Sequence, residues 1–213
     1  MDLAEAIYSR KCTRGFKPEP VPKKTLMRLL GAAHQAPSAR NIQPWQFIVV
    51  TGPARERLAQ KLVNRHQQEA QGKLGWPEFP APFQARSQRF GQELAPFGQQ
   101  TPGFDLATSS FNFHGAPAVI LLTMDQQLPP ARLIDLGMAA QNLVLKAHAL
   151  GLGTCPIGMV LKYDEVIREE LRLPESVNIV LSIAVGVPDP AFPINQYKSW
   201  RDDLAEFMTW IEN

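Results

Sequence analysis

Three short stretches of this chain gather side chains that could bind an anion or a polar ring. Arg10, Lys11 and Arg14 put three cations into five residues, with Cys12 between them. Lys198, Ser199 and Arg201 give a smaller cluster near the other end. A guanidinium is a planar fork of donors that matches phosphate or carboxylate bidentately, so either cluster suits an anion. The third stretch, "PSARNIQ" at residues 37–43, carries Ser38, Arg40, Asn41 and Gln43 just ahead of an apolar run. Such a polar mouth is either a loop satisfying its own backbone or a binding surface. For isolated Lys and Arg the ordinary role is solvated surface charge.

Other chemistries leave no signature. No G-x-x-x-x-G-K-[ST] loop occurs, so no P-loop is expected. "GLGTCPIG" follows a helical pattern rather than a strand, and its glycine spacing is wrong for a dinucleotide fold. His34, His66, His114 and His148 have no metal-ligand spacing with each other or with cysteine. The two cysteines, Cys12 and Cys155, lie far apart in sequence and argue against a disulfide framework or structural zinc. No G-x-S-x-G elbow and no Cys–His signature are present.

Bulk properties narrow the class. A chain of 213 residues, 45% apolar and 20% charged, fits one globular domain. A formal net charge of +2 gives no broad field for nucleic acid or an acidic membrane. No run approaches the roughly 20 apolar residues of a membrane span. "MDLAEAIYSRKC" lacks the apolar centre of a secretory signal, so a cytoplasmic location is expected.

The elements that must position these clusters follow from hydrophobic period. A short helix is expected over residues 2–9, then an extended connection forced by Pro18, Pro20 and Pro22. Leu26, Leu29, Leu30 and Ala33 predict a helix over 23–35, ended by Pro37. Strands are expected at 46–50, at 116–123 ("APAVILLT") and at 177–187 ("VNIVLSIAVGV"). Leu136 to Leu150 traces a long helix closed by Gly151 and Gly153. Further helices are expected from near Pro53, at 163–172 and at the C-terminus. "TCPIGM" reads as a turn-like break. Residues 65–112, rich in Pro, Gln and Phe, read as an irregular excursion, and their aromatic content argues against disorder.

Taken in order, "SRKCTRGF", "APSARNIQPWQFIVVTG", "GAPAVILL", "DLGMAAQNLVLKAHALGLGTCPIG" and "YKSWRDDL" resemble the FMN-dependent nitroreductase family over nearly the whole chain. The insertion before "FHGAP" looks most like the branch that includes nitrobenzoate reductases. The resemblance implies an α+β fold, with a central, mostly antiparallel sheet flanked by helices. It also implies an intertwined homodimer with FMN sites at the interface. Arg10, Lys11 and Arg201 would hold the FMN phosphate and ribityl chain, with Ser199 as a second C-terminal contact. Cys12 departs from the family's usual Ser or Thr, and a thiol is the weaker donor. Arg14 would lie at the pyrimidine end, where a cation favours the anionic reduced flavin. Pro37, Ser38, Ala39, Asn41 and Gln43 match a polar loop that reaches the flavin of the other subunit. Pro156, Ile157 and Gly158 match the segment along the ring, near N5.

The same resemblance implies a reaction. NADH or NADPH would give hydride to flavin N5, and a nitroaromatic or quinone-like acceptor would take it in a ping-pong cycle. No protein residue need act as a catalytic acid, base or nucleophile, because the cofactor carries the redox chemistry. The aromatic excursion would wall the flavin face, with Trp76, Phe111 or Phe113 as candidates to touch an acceptor. Two alternatives stay open at this point. One is a flavin-binding module for storage or sensing, without turnover. The other is reductive dehalogenation or ene reduction on the same fold.

Overall fold

The computed structural model describes residues 1–69 and 79–212. Its centre is a four-stranded sheet in the order β1-β2-β4-β3, built from β1 (Gln46–Thr51), β2 (Ala118–Asp125), β3 (Gly153–Ile157) and β4 (Val177–Gly186). Every neighbouring pair is antiparallel. β2 lies inside the sheet, and its residues from Ala118 to Met124 are all buried. Side chains alternate across a strand, so β2 feeds two cores at once. Ala118, Ile120, Leu122 and Met124 pack on one face with α2 (Lys23–His34) and α6 (Leu133–Ala149). Val119 and Leu121 pack on the other with α3 (Gly52–Glu69), α5 (Leu106–Phe111) and α7 (Asp164–Leu171). The observed helices and antiparallel sheet match the expected α+β class.

Three expectations are corrected. "TCPIGM" is not a turn: residues 153–157 form edge strand β3, paired to β4 from Gly153↔Gly186 to Ile157↔Ser182. A proline is tolerated at a sheet edge, where its missing N–H breaks no interior ladder. Nor are residues 65–112 irregular throughout. They hold the end of α3, a 19-residue helix α4 (Ala81–Gln99) and α5. On α4, Phe90, Leu94 and Phe97 fall at i, i+4 and i+7, a helical face that packs on Ile194 and Tyr197. Pro82 sits in the first turn, where the orphan N–H makes it harmless, and Pro96 in the last. Of the terminal helix expected, only a single 3₁₀ turn at Leu204–Phe207 forms.

α4 and the C-terminal arm (residues 189–212) are tied together. Arg86 reaches Asp202 at 2.5 Å and Arg89 stacks 4.0 Å from the Trp200 ring. Ile194 N–H donates to Thr101 Oγ1 at 3.0 Å. α1 (Leu3–Ser9) leads into the basic segment, which runs extended beside β3. No helix among the described residues is long and apolar enough to cross a membrane.

Candidate functional site

The basic segment is held against β3 by backbone. Cys12 forms a parallel bridge with Thr154, and Thr13 N–H donates to Thr154 O at 2.9 Å. The approach is close enough to demand a glycine. A Cβ added at Gly153 would fall 2.4 Å from Thr13 Oγ1, and one at Gly15 would fall 2.4 Å from the Phe192 ring. The other flank is held by Asn195. Its side-chain oxygen accepts from Arg14 N–H at 2.7 Å, and its nitrogen donates to Gly15 O at 2.7 Å and Asp189 O at 2.9 Å. Lys198 Nζ donates to Tyr8 O at 2.8 Å, which lays the arm beside the last turn of α1. The two ends of the chain therefore meet at Tyr8 and Lys198, while Ser199 and Arg201 do not line the cleft that holds Arg10 and Lys11.

The electrostatics of this seam are one-sided. Among the described residues, Arg10, Lys11, Arg14, Lys198 and Arg201 pair with no carboxylate. The Arg14 guanidinium lies 5.7 Å from the Phe90 ring centroid, and exposed Arg201 turns Nη1 to Ser199 Oγ at 3.0 Å and Trp200 O at 2.6 Å. A cleft of about 720 Å³ opens over Arg10, Lys11, Thr13 and Thr154. A smaller one, about 230 Å³, is lined by Arg14, Asn112, His114 and Phe104. Cys12 is brought down to about 6 by a hydrogen bond with the Cys155 thiol, helped by the charges of Arg14 and Arg10 and opposed by burial. His114 is depressed to about 3 by burial and then by Arg14, so it stays neutral beside that cation.

Pro156 is exposed and a Cβ at Gly158 would meet nothing within 4 Å, so this backbone borders open space. The Ile157 side chain is buried in the core, and its carbonyl accepts from Ser182 Oγ at 2.8 Å. Residues 37–43 partly satisfy their own backbone: Gln43 N–H donates to Ser38 Oγ at 3.0 Å, and Gln43 Nε2 to Asn41 O at 3.1 Å. Yet Arg40, Asn41 and Gln43 sit at φ 55°, 56° and 49°. A left-handed non-glycine residue costs about 1 to 3 kcal/mol, strain that clusters at ligand contacts. The loop is pinned from below by Trp45 Nε1 donating to His34 Nδ1 at 3.1 Å. It lines neither cleft of its own chain.

Of the proposed acceptor contacts, Phe111 and Phe113 are fully buried in the core, without an exposed face to offer an acceptor in this chain. Trp76 lies outside the described residues. Thr13, His114 and Asn195 were not singled out by the sequence. Gly15 and Gly153 are the only local hint, as close approaches whose partners lie far along the chain. Among the described residues no group of three or more His, Cys, Asp or Glu could hold a metal ion.

Comparison with known proteins finds relatives over nearly the whole chain. The model of the nitroreductase family matches residues 7–187. The chain is 32% identical to a chloronitrobenzene nitroreductase of Comamonas testosteroni, covering 98% of this chain and 96% of that protein. It is 27% identical to a 4-nitrobenzoate reductase of Pseudomonas putida, covering 99% and 96%. The crystal structure of the FMN-dependent nitroreductase NfnB from Mycobacterium smegmatis, in complex with NADPH, superposes with a TM-score of 0.86 at 31% identity, covering 99% and 100%. The chain belongs to the nitroreductase family.

Proposed function

We propose that this chain is an NAD(P)H-dependent FMN oxidoreductase that reduces nitroaromatic or quinone-like compounds, working in the cytoplasm as an intertwined homodimer. The observation that carries the reading is the seam of cations without carboxylate partners, built from both chain ends beside β3. A half-buried guanidinium left unpaired by its own protein fits an anionic ligand. FMN offers a dianionic phosphate and a ring whose reduced form is anionic at its pyrimidine end.

The donor set fits that group. Arg10, Lys11 and Arg201, with Ser199, would hold the phosphate and ribityl chain. Arg14 would face the pyrimidine end, its backbone fixed by Asn195. Cys12 adds a thiol that leans toward thiolate, so its contact to the cofactor would differ from that of a hydroxyl. Pro156, Ile157 and Gly158 would border the ring through backbone, which the open space at Gly158 permits. When bound, FMN supplies hydride transfer from the nicotinamide to the acceptor. The protein orients the ring, places positive charge where reduction deposits negative charge, and limits water.

A dimer accounts for two further features. Leu204, Phe207, Met208, Trp210 and Ile211 are between 50% and 80% exposed on the arm, an apolar surface a lone chain would not leave bare. The strained 37–43 loop lines neither cleft of its own chain; Pro37, Ser38, Ala39, Asn41 and Gln43 would serve the partner's flavin. The reading predicts a yellow protein that bleaches when NADH or NADPH is added without oxygen and regains colour with a nitroaromatic. Bound FMN that neither donor bleaches would reduce the protein to a flavin carrier. A colourless chain that cannot be reconstituted with FMN would remove the reading.

A further inference from the structure

The chain has two cysteines, 12 and 155, and the fold brings them together. Cys12 bridges Thr154, the residue before Cys155. Bridged strands run about 4.8 Å apart and rise about 3.3 Å per residue, which sets the Cys12 and Cys155 Cα atoms roughly 6 Å apart, within the roughly 4.4 to 6.8 Å of a disulfide. Both side chains belong to one apolar cluster: Cys155 is 4% exposed, and the partly exposed Cys12 packs against it. The pair therefore has an attackable member at the surface of the seam and an enclosed member behind it, an arrangement suited to oxidation.

We propose that Cys12 and Cys155 form a peroxide-oxidisable dithiol that closes to an intramolecular disulfide at the edge of the basic seam. The Cys12 thiolate attacks a hydroperoxide oxygen, forming an S–O bond and breaking O–O; the Cys12 sulfur is oxidised to the sulfenic acid and an alcohol or hydroxide leaves. The Cys155 thiol then attacks that sulfur, forming S–S and releasing the oxygen as water. Two thiols are oxidised, and one peroxide is reduced by two electrons. Arg10 and Arg14 favour the first step by stabilising the thiolate, and its acidity shifts in that direction. Cys155 shifts the opposite way, held as thiol by the Cys12 hydrogen bond and by burial, so the order of attack runs from Cys12. In a reducing compartment the bond is transient. The inference does not depend on FMN.

The test uses the purified protein with whatever cofactor it carries, treated with hydrogen peroxide, alkylated and digested with trypsin without reductant. The expected product is the peptide "CTR" linked to "AHALGLGTCPIGMVLK", formed in monomer-sized chains and reversed by dithiothreitol. In Cys155→Ala, Cys12 is expected to accumulate as sulfenic acid, trapped by dimedone. In Cys12→Ser, which restores a hydroxyl and keeps Cys155 in place, Cys155 is expected to resist peroxide. Linkage only between two chains, Cys12 oxidised to sulfinic acid with Cys155 still free in the unaltered protein, or both thiols untouched after treatment would each overturn the proposal.

Discussion

The sheet and the basic seam lie side by side at β3, and they are built on opposite rules. Strand β2 is buried from Ala118 to Met124, its backbone is laddered on both sides, and every side chain in that run except Thr123 joins an apolar cluster. The segment from Arg10 to Gly15 is equally well fixed in backbone, through Thr154 and Asn195, but its charges are left without carboxylates. One region is complete in itself. The other is preorganised and electrostatically incomplete, as a binding site must be if the ligand is to supply the missing charge.

Substitutions should separate the two rules. The largest effect is expected in the sheet: Leu121→Ala removes a fully buried side chain, and a cavity of that kind costs about 3 kcal/mol. Denaturant unfolding of the apoprotein would show it. FMN affinity measured well below the transition should change little, and a large loss of affinity with full stability would break the comparison. Asn195→Ala comes next and should cross the divide. It strands Arg14 N–H and Gly15 O in a buried place, worth about 1 to 3 kcal/mol, and should weaken FMN binding as well. Stability lost with FMN affinity intact would make Asn195 structural only.

Arg10→Ala and Arg201→Ala should behave as the inverse of the sheet variant. A charge-assisted hydrogen bond contributes about 1.5 to 3 kcal/mol, so FMN affinity should drop roughly 10- to 100-fold by fluorescence titration. Apoprotein stability should hold within about 0.5 kcal/mol, as for side chains with no ion-pair partner and no part in the core. The gentlest perturbation is pH. The Cys155 hydrogen bond, with the charges of Arg14 and Arg10, holds the Cys12 thiol down to about 6 in the fold, below its ordinary 9.0. A depressed acid contributes stability that is fully present above its unfolded value and is lost as pH falls through its folded value. Apoprotein stability should therefore rise between about pH 6 and 9 from this residue, and Cys12→Ser should flatten that slope. An unchanged slope would mean that neither the Cys155 hydrogen bond nor the Arg14 and Arg10 charges hold the thiol down.

The two regions were also unequally legible. β1, β2, β4, α2 and α6 follow apolar periods that need no tertiary information, and each lies within a few residues of its expected place. β3 was hidden because Gly153, Pro156 and Gly158 read as breakers; an edge position makes the proline harmless, and the packing of Thr13 makes Gly153 necessary. α4 was hidden because its face is aromatic and sparse, and it finds its core only on Ile194 and Tyr197, about a hundred residues away. The cations were visible as types and spacing, and the family resemblance attached roles to them. Asn195 gave no local sign, since its three bonds reach Arg14, Gly15 and Asp189 only after folding.

The most direct test of the incomplete seam compares FMN with riboflavin, which differ by the phosphate alone, on the apoprotein and on Arg10→Ala. The account predicts that the unaltered protein binds FMN at least 10-fold more tightly than riboflavin, in line with one charge-assisted contact, and that Arg10→Ala loses most of that preference while its riboflavin affinity barely moves. Equal affinity for the two ligands in the unaltered protein, or a preference untouched by Arg10→Ala, would contradict it.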